Sequence, residues 1–206
     1  MIVDRFVTGA IQVNTYFAYD EKTKSGFIVD PGAYCPQLIA KAKEDGVDIK
    51  YIILTHGHGD HIGGVEGHLR DFPSAKIVAC AEEAEMLANP RHNLSGEVCG
   101  RPVSIAADIW VHDGDTLNVG DIELTFIHTP GHTEGGMCVY TKGYLFSGDT
   151  LFRFSVGRTD FYGGDYSALM TSIREKIFPL PDDTRVFPGH MGMTRLEDEK
   201  KGNPFV

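Results

Sequence analysis

Four short segments, each closing an apolar run and rich in Gly or Pro, carry seven side chains of the kind that ligate metals. They are LTHGHGDHIGG (54–64) with His56, His58, Asp60 and His61, TPGH (129–132) with His132, SGD (147–149) with Asp149, and FPGH (187–190) with His190. Alone, an H-x-H pair is ordinary for a surface loop, and Asp60 suits a helix cap. Together, five imidazoles and two carboxylates gathered without an ion would leave buried polar groups unpaired, at about 1–3 kcal/mol each. A divalent cation satisfies them at once. The fold must therefore be one that brings strand ends from distant sequence together, which is what the strand-end loops of an α/β sheet do.

The remaining pattern agrees. Residues 11–19 and 26–30 read as strands joined by the polar turn DEKTKSG, so the chain opens with hairpins. PQLIAKAKEDG (36–46) has helical spacing and a terminal Gly, and IKYIIL (49–54) reads as a buried strand, which makes a β-α-β unit. A helix is predicted over 61–71, a strand over 76–80 and a helix over 81–89, followed by a polar loop (90–107). DTLNVGDIELTFIH and GMCVYTKGYLFSGD read as two hairpins, Asp165–Phe178 as a late helix and TRVF (184–187) as a last strand. Alternating and paired elements of this kind predict sheets covered by helices, a layered α/β fold. No linker or repeat divides the 206 residues, so 1–206 is read as a single domain.

Charge and cysteine usage narrow the function. The 19 Lys+Arg against 29 Asp+Glu give a net charge of −10, the wrong balance for neutralising phosphates, so neither nucleic-acid nor membrane-surface partners are expected. No run approaches the roughly 20 apolar residues of a membrane span. The 4 cysteines, Cys35, Cys80, Cys99 and Cys138, form no C-x-x-C pair and suit reduced, buried thiols. A cytoplasmic protein acting on a small molecule is expected, and nothing in the sequence sets its oligomeric state.

The ordered motifs VDPG (29–32), H-x-H-x-D-H (56–61), TPGH (129–132), SGDTLF (147–152) and PGH (188–190) resemble the metallo-β-lactamase superfamily over essentially the whole chain. The resemblance implies a four-layer αββα sandwich with the site at one edge of the paired sheets. It implies that His56, His58 and His132 hold one ion, that Asp60, His61 and His190 hold another, and that Asp149 bridges them. Asp30 would support the ligands rather than join them, and Asp60 is assigned the catalytic role besides its ligand role. Imidazole with carboxylate favours two zinc ions, and iron or manganese also fits.

Within that superfamily, GDTLFRFSVGRTDFYGGD (148–165) is similar to the short glyoxalase II-like hydrolases, which act on thioesters such as hydroxyacylglutathione, with a metal-bridging hydroxide as nucleophile. A metal-dependent thioester hydrolase is the function expected. Lactam hydrolysis is not, because Asp149 stands where lactamases usually place a cysteine. GRTDF (157–161) is shared with the mononuclear iron persulfide dioxygenases, but Val156 replaces their usual cysteine. That oxidoreductase and a non-enzymatic metal-binding module are the alternatives. Arg153 and Arg158 flank the SGDTLF segment and face two readings, an anionic substrate or a neighbouring acid such as Asp160. His68, His92, His112 and His128 lack the strand-end Gly/Pro setting, and Cys138 falls inside a strand, so these are expected to be structural.

Overall fold

The computed structural model describes residues 1–206. Its strands are β1 (Ile2–Thr8), β2 (Val13–Tyr19), β3 (Ser25–Val29), β4 (Asp48–Leu54), β5 (Lys76–Cys80), β6 (Ile109–Val111), β7 (Thr116–Val119), β8 (Ile122–His128), β9 (Met137–Thr141), β10 (Tyr144–Gly148), β11 (Leu151–Phe152), β12 (Ser155–Val156), β13 (Arg185–Pro188) and β14 (Thr194–Arg195). The helices are α1 (Pro36–Glu44), α2 (Gly59–Ile62), α3 (Val65–Asp71), α4 (Ala84–Ala88), α5 (Ser95–Cys99), α6 (Tyr166–Thr171) and α7 (Leu196–Gly202). One six-stranded sheet runs β1-β2-β3-β4-β5-β6 and the other β14-β13-β10-β9-β8-β7, with β11 and β12 as a small separate ribbon.

Side-chain alternation along the strands produces the layers. In β4, Ile52 and Leu54 face helices α1 to α3, packing with Leu38, Ile39, Ala42, Ile62 and Val65. Ile53, between them, points the other way into a core shared by both sheets, with Tyr16, Phe27, Val78, Phe126, Val139, Phe146 and Phe187. In β10, Phe146 enters that central core while Leu145 faces outward onto Leu169, Ile173, Ile177 and Leu196. Three apolar cores thus separate four layers, and the αββα sandwich implied by the sequence is the observed architecture.

Strand direction then places the site. β3, β4 and β5 are parallel, β10 is parallel to β13, and β8 runs with β10 because both are antiparallel to β9 between them. β8, β10 and β13 thus end at one edge of the second sheet, and contacts such as Met137 N to Thr55 O bring the end of β4 to the same place, so the four motif segments leave the sandwich at one end.

Several local expectations shift. The helix predicted over 61–71 breaks at Gly63–Gly64, because the turn after β3 lies against it: Gly64 N donates to Pro31 O at 2.7 Å, and a Cβ on Gly64 would meet the Ala33 and Pro31 carbonyls at 2.6 Å. The helix predicted over 81–89 starts with a tight 3₁₀ turn, Ala81–Glu83. The predicted loop contains α5 and β6, and the late helix passes from α6 into a π-helical stretch, Ser172–Ile177. β1, β11, β12, β14 and α7 have no clear sequence signal. In α7 only Leu196 and Glu199 are buried, and the Glu199 carboxylate accepts from Phe154 N, Thr194 Oγ1 and Asn203 Nδ2.

Phe146 stands with its ring centroid 5.5 Å from Tyr16, 5.8 Å from Phe27 and 5.3 Å from Phe187, fully buried between the sheets. Phe146→Ala is expected to cost about 3–5 kcal/mol of unfolding free energy, seen as a lower urea midpoint at unchanged slope. A loss below about 1 kcal/mol would mean that the sheets can close over the cavity.

Candidate metal centre

All seven sequence-selected residues come together at that end of the sandwich. Ligand atoms of His56, His58 and His132 lie within 4.8 Å of one another, as do those of Asp60, His61 and His190. Asp149 lies between the sets, with Oδ1 3.4 Å from His61 Nε2 and Oδ2 3.6 Å from His132 Nε2 and 3.7 Å from His190 Nε2. His190 Nε2 is 3.1 Å from Asp60 Oδ2. The glycines among them permit this density. A Cβ on Gly189 would collide with Asp149 Oδ1 and come within 2.6 Å of His61 Cε1.

Hydrogen-bond chemistry fixes which imidazole atoms are lone pairs. His61 Nδ1 stands 3.0 Å from Asp30 Oδ2, so it carries a proton there and turns Nε2 toward Asp60 and Asp149. His132 Nδ1 donates to the Arg158 carbonyl at 2.7 Å, which bares its Nε2. Thr55 Oγ1 donates to Asp30 Oδ2 at 2.6 Å and so accepts from His56 Nδ1 at 3.2 Å, baring His56 Nε2. The Nε2 atoms of His56 and His61 and Oδ1 of Asp149 are buried without a hydrogen-bond partner, and His58 brings Nδ1 to 2.9 Å from His132 Nε2. Ring nitrogens and carboxylate oxygens packed this closely form an unsatisfied arrangement that a cation completes, so the residues present fit a metal site.

The titration behaviour points the same way. Burial, reinforced by His61 and His132, holds His56 well below the ordinary imidazole value, and burial with His132 lowers His58 to about 3. Both are thereby kept neutral at physiological pH, with lone pairs available to a cation. Burial opposes charge on His61, yet Asp149, Asp60 and Asp30 outweigh it and raise its pKa to about 10. Burial likewise disfavours charge on Asp60, but His61 and His190 hold its carboxyl below the usual range. Without an ion that field keeps a second proton on His61, at Nε2, and a cation held there would displace it.

A family model described as the metallo-beta-lactamase superfamily matches residues 8–190. The chain belongs to that superfamily. Among its relatives, the "Probable metallo-hydrolase YqgX" of Bacillus subtilis is 36% identical, covering 98% of this chain and 96% of that one. The "Hydroxyacylglutathione hydrolase GloC" of Haemophilus influenzae is 34% identical, covering 96% and 94%. Among solved structures, the BLEG-1 B3 metallo-beta-lactamase matches with a TM-score of 0.91 and 38% identity over 99% of both chains. ETHE1 from Myxococcus xanthus matches at 0.82 and 28%, over 99% of this chain and 84% of that one. TTHA1623, in a di-iron-bound form, matches at 0.85 and 29%, over 98% and 100%. The superfamily binds divalent metals, and one of these neighbours holds iron.

A cavity of about 420 Å³ opens onto the site, walled by Ile11, Leu94, Val98, Phe152, Val156, Phe161 and Met191 and floored by His58, Asp60, His132, Asp149 and His190. Of the two arginines singled out, Arg158 forms a bidentate pair with Asp160 at 2.9 and 2.7 Å and lies over the Phe161 ring, so its charge is already engaged. Arg153 is absent from the cavity wall and lies 5.9 Å from the Phe154 ring centroid. His68 is buried in α3 against Gly64 O, His92 stacks on Tyr162, and Cys138 packs in the outer core. None of them reaches the site.

Sequence reasoning missed the side chains that hold the loops. Glu83, fully buried, accepts from Gly57 N at 2.7 Å with one oxygen and from Gly135 N at 2.8 Å with the other, tying the His56–His58 loop to the His132 loop. Burial raises its pKa to about 7 despite those bonds. Asn14 Nδ2 donates to Pro188 O and Met191 O, and Tyr16 Oη to Pro188 O, which fixes the His190 loop. Glu83 reads in sequence as one more acid on a helix face, and Asn14 as a strand residue. No spacing rule marks either.

Asp30 orients His61 and, through Thr55, His56. Asp30→Asn keeps the shape and removes the charge, so divalent-ion affinity is expected to fall about 10–100-fold in a chelator competition with the fold retained. Unchanged affinity would leave Asp30 as a turn residue only.

Proposed function

We propose that this chain is a two-metal hydrolase of small thioesters of the hydroxyacylglutathione type. The observation that carries the proposal is the complete second set: Asp60, His61 and His190 stand assembled beside the first three histidines, and Asp149 faces both. His56, His58 and His132 would hold one ion, Asp60, His61 and His190 the other, and Asp149 would bridge them. Zinc suits this donor set, as do iron and manganese. Such ions, when bound, lower the pKa of a water toward 7 and polarise a carbonyl. The 34% identity to the protein named as a hydroxyacylglutathione hydrolase supports the same reading.

The chain's own residues supply the rest. Ile11, Leu94, Phe152 and Phe161 would receive the apolar parts of the thioester and keep bulk water from the scissile carbonyl. Asp60, on the cavity floor, would accept the proton of the attacking water on its carboxylate and release it to solvent through the cavity. The leaving thiol departs as a thiolate, whose conjugate acid has a pKa of about 8.5, so no general acid is needed. Glu83, Asn14 and Tyr16 would hold the ligand loops in register while this happens.

Two competing readings each rest on one observation. The GRTDF segment, which borders the cavity through Arg158 and Phe161, is the feature shared with the persulfide dioxygenases. The 38% identity to BLEG-1, described as a B3 metallo-beta-lactamase, brings β-lactams back as candidate substrates, against the expectation drawn from Asp149. Purified protein offered a hydroxyacylglutathione, a glutathione persulfide with iron and oxygen, and a β-lactam is expected to turn over the thioester fastest. Rapid oxygen uptake or lactam cleavage without thioester hydrolysis would transfer the assignment. Asp149→Ala should lower bound metal and activity together, at least 100-fold in kcat/KM (~3 kcal/mol). Retained activity with a single ion would refute the dinuclear site.

A further inference from the structure

Cys80, Glu82 and His128 take no part in the site above, yet they meet, with His112 beside Glu82. Cys80 ends β5 in the first sheet and is buried, His128 ends β8 in the second sheet, and Glu82 lies in the 3₁₀ turn after β5. The Cys80 sulfur, a Glu82 carboxylate oxygen and a His128 ring nitrogen all lie within 4.8 Å of one another. The thiol donates to Glu82 Oε2 at 3.0 Å, and His112 Nδ1 stands 3.4 Å from Glu82 Oε1. Glu82 and His112 are solvent-accessible, which gives an ion a way in.

We propose that Cys80, Glu82 and His128, with His112 as fourth ligand, form a separate transition-metal site that ties the two sheets together beside the catalytic loops. A thiolate, a carboxylate and two imidazoles are a donor set for zinc or cobalt rather than for calcium or magnesium. Ligands bonded to a tetrahedral zinc at about 2.0–2.3 Å stand about 3.3–3.7 Å apart, so the 3.0 Å between Cys80 and Glu82 Oε2 needs only a small adjustment, while the exposed His112, now against Oε1, turns inward to complete the set. Binding converts the Cys80 thiol to thiolate, and its proton goes to solvent. Without an ion, burial and the neighbouring Glu82 keep that thiol above the ordinary range and so unreactive. The site has a mechanical consequence as well. Glu83, next in sequence to Glu82, holds Gly57 and Gly135, and Thr129, next to His128, begins the TPGH loop. An ion here would brace both catalytic loops from behind.

Cobalt loading tests this independently of the proposed hydrolase, because the catalytic set contains no sulfur. Wild-type protein titrated with Co²⁺ is expected to show a near-ultraviolet sulfur-to-cobalt charge-transfer band. The band should vanish in Cys80→Ser, weaken in Glu82→Gln and persist in Cys99→Ser. Zinc analysis should find one ion fewer per chain in Cys80→Ser than in wild type, whatever the number held at the catalytic site. His128→Ala, at a half-exposed position, should show the same loss, and it decides the matter if Cys80→Ser does not fold. Absence of the band, its survival in Cys80→Ser, or a band that needs about millimolar cobalt, marking an adventitious ion only, would overturn the proposal.

Discussion

The carboxylate of Asp30 is the point through which the sheets and the site depend on each other. It sits at the end of β3 with a left-handed backbone, φ 49°, and accepts from Thr55 N, Thr55 Oγ1 and His61 Nδ1, so the end of β4 and the start of α2 are fixed against it. Thr15 Oγ1 donates to the Asp30 carbonyl, which draws β2 into the same arrangement. Because a carboxylate only accepts, every partner must present a proton toward it, and the far ring nitrogen of His61 is turned inward. The electron-rich interior of the site therefore follows from where the protons are held on its outside.

The same logic recurs around the ring of loops. Arg158 turns His132 through a backbone carbonyl, a contact to which the guanidinium contributes nothing. Glu83 spans two loops with two oxygens, each given one backbone N–H, so removing either loop would strand a buried acceptor. Positioning here is done by acids and carbonyls that fix donors, and the apolar cavity above contributes little direction of its own.

Much of this was legible in the sequence because ligand chemistry needs particular residues at particular places. His56, His58, Asp60 and His61 follow an apolar strand, and His132, Asp149 and His190 each sit beside a glycine that only a crowded backbone requires. The hairpins from β7 to β10 were equally plain, since β7 and β8 alternate and β9 and β10 are short apolar runs, each pair joined at a glycine. What escaped the sequence depends on tertiary partners. α7 is polar almost throughout and is placed by the buried Glu199; the π-helical continuation of α6 has the same apolar spacing as an α-helix; and Glu83 and Asn14 matter through backbone atoms of segments far away. The four residues around Cys80 come from three separate stretches, and no local spacing joins them.

The last of the four loops in sequence is held by one of the first strands in sequence. Asn14 reaches Pro188 across 174 residues, and the ligand that completes the second set, His190, lies on the loop it fixes. A chain emerging from the ribosome thus displays the His56–His61 cluster long before the partners that would enclose it exist. Until β13 docks beside β10, those side chains form an open, exchangeable half-site on a sheet that lacks its second layer. In this architecture the second candidate set is complete only once β13 has docked, so an ion held there would be acquired by a nearly finished protein rather than seed its folding.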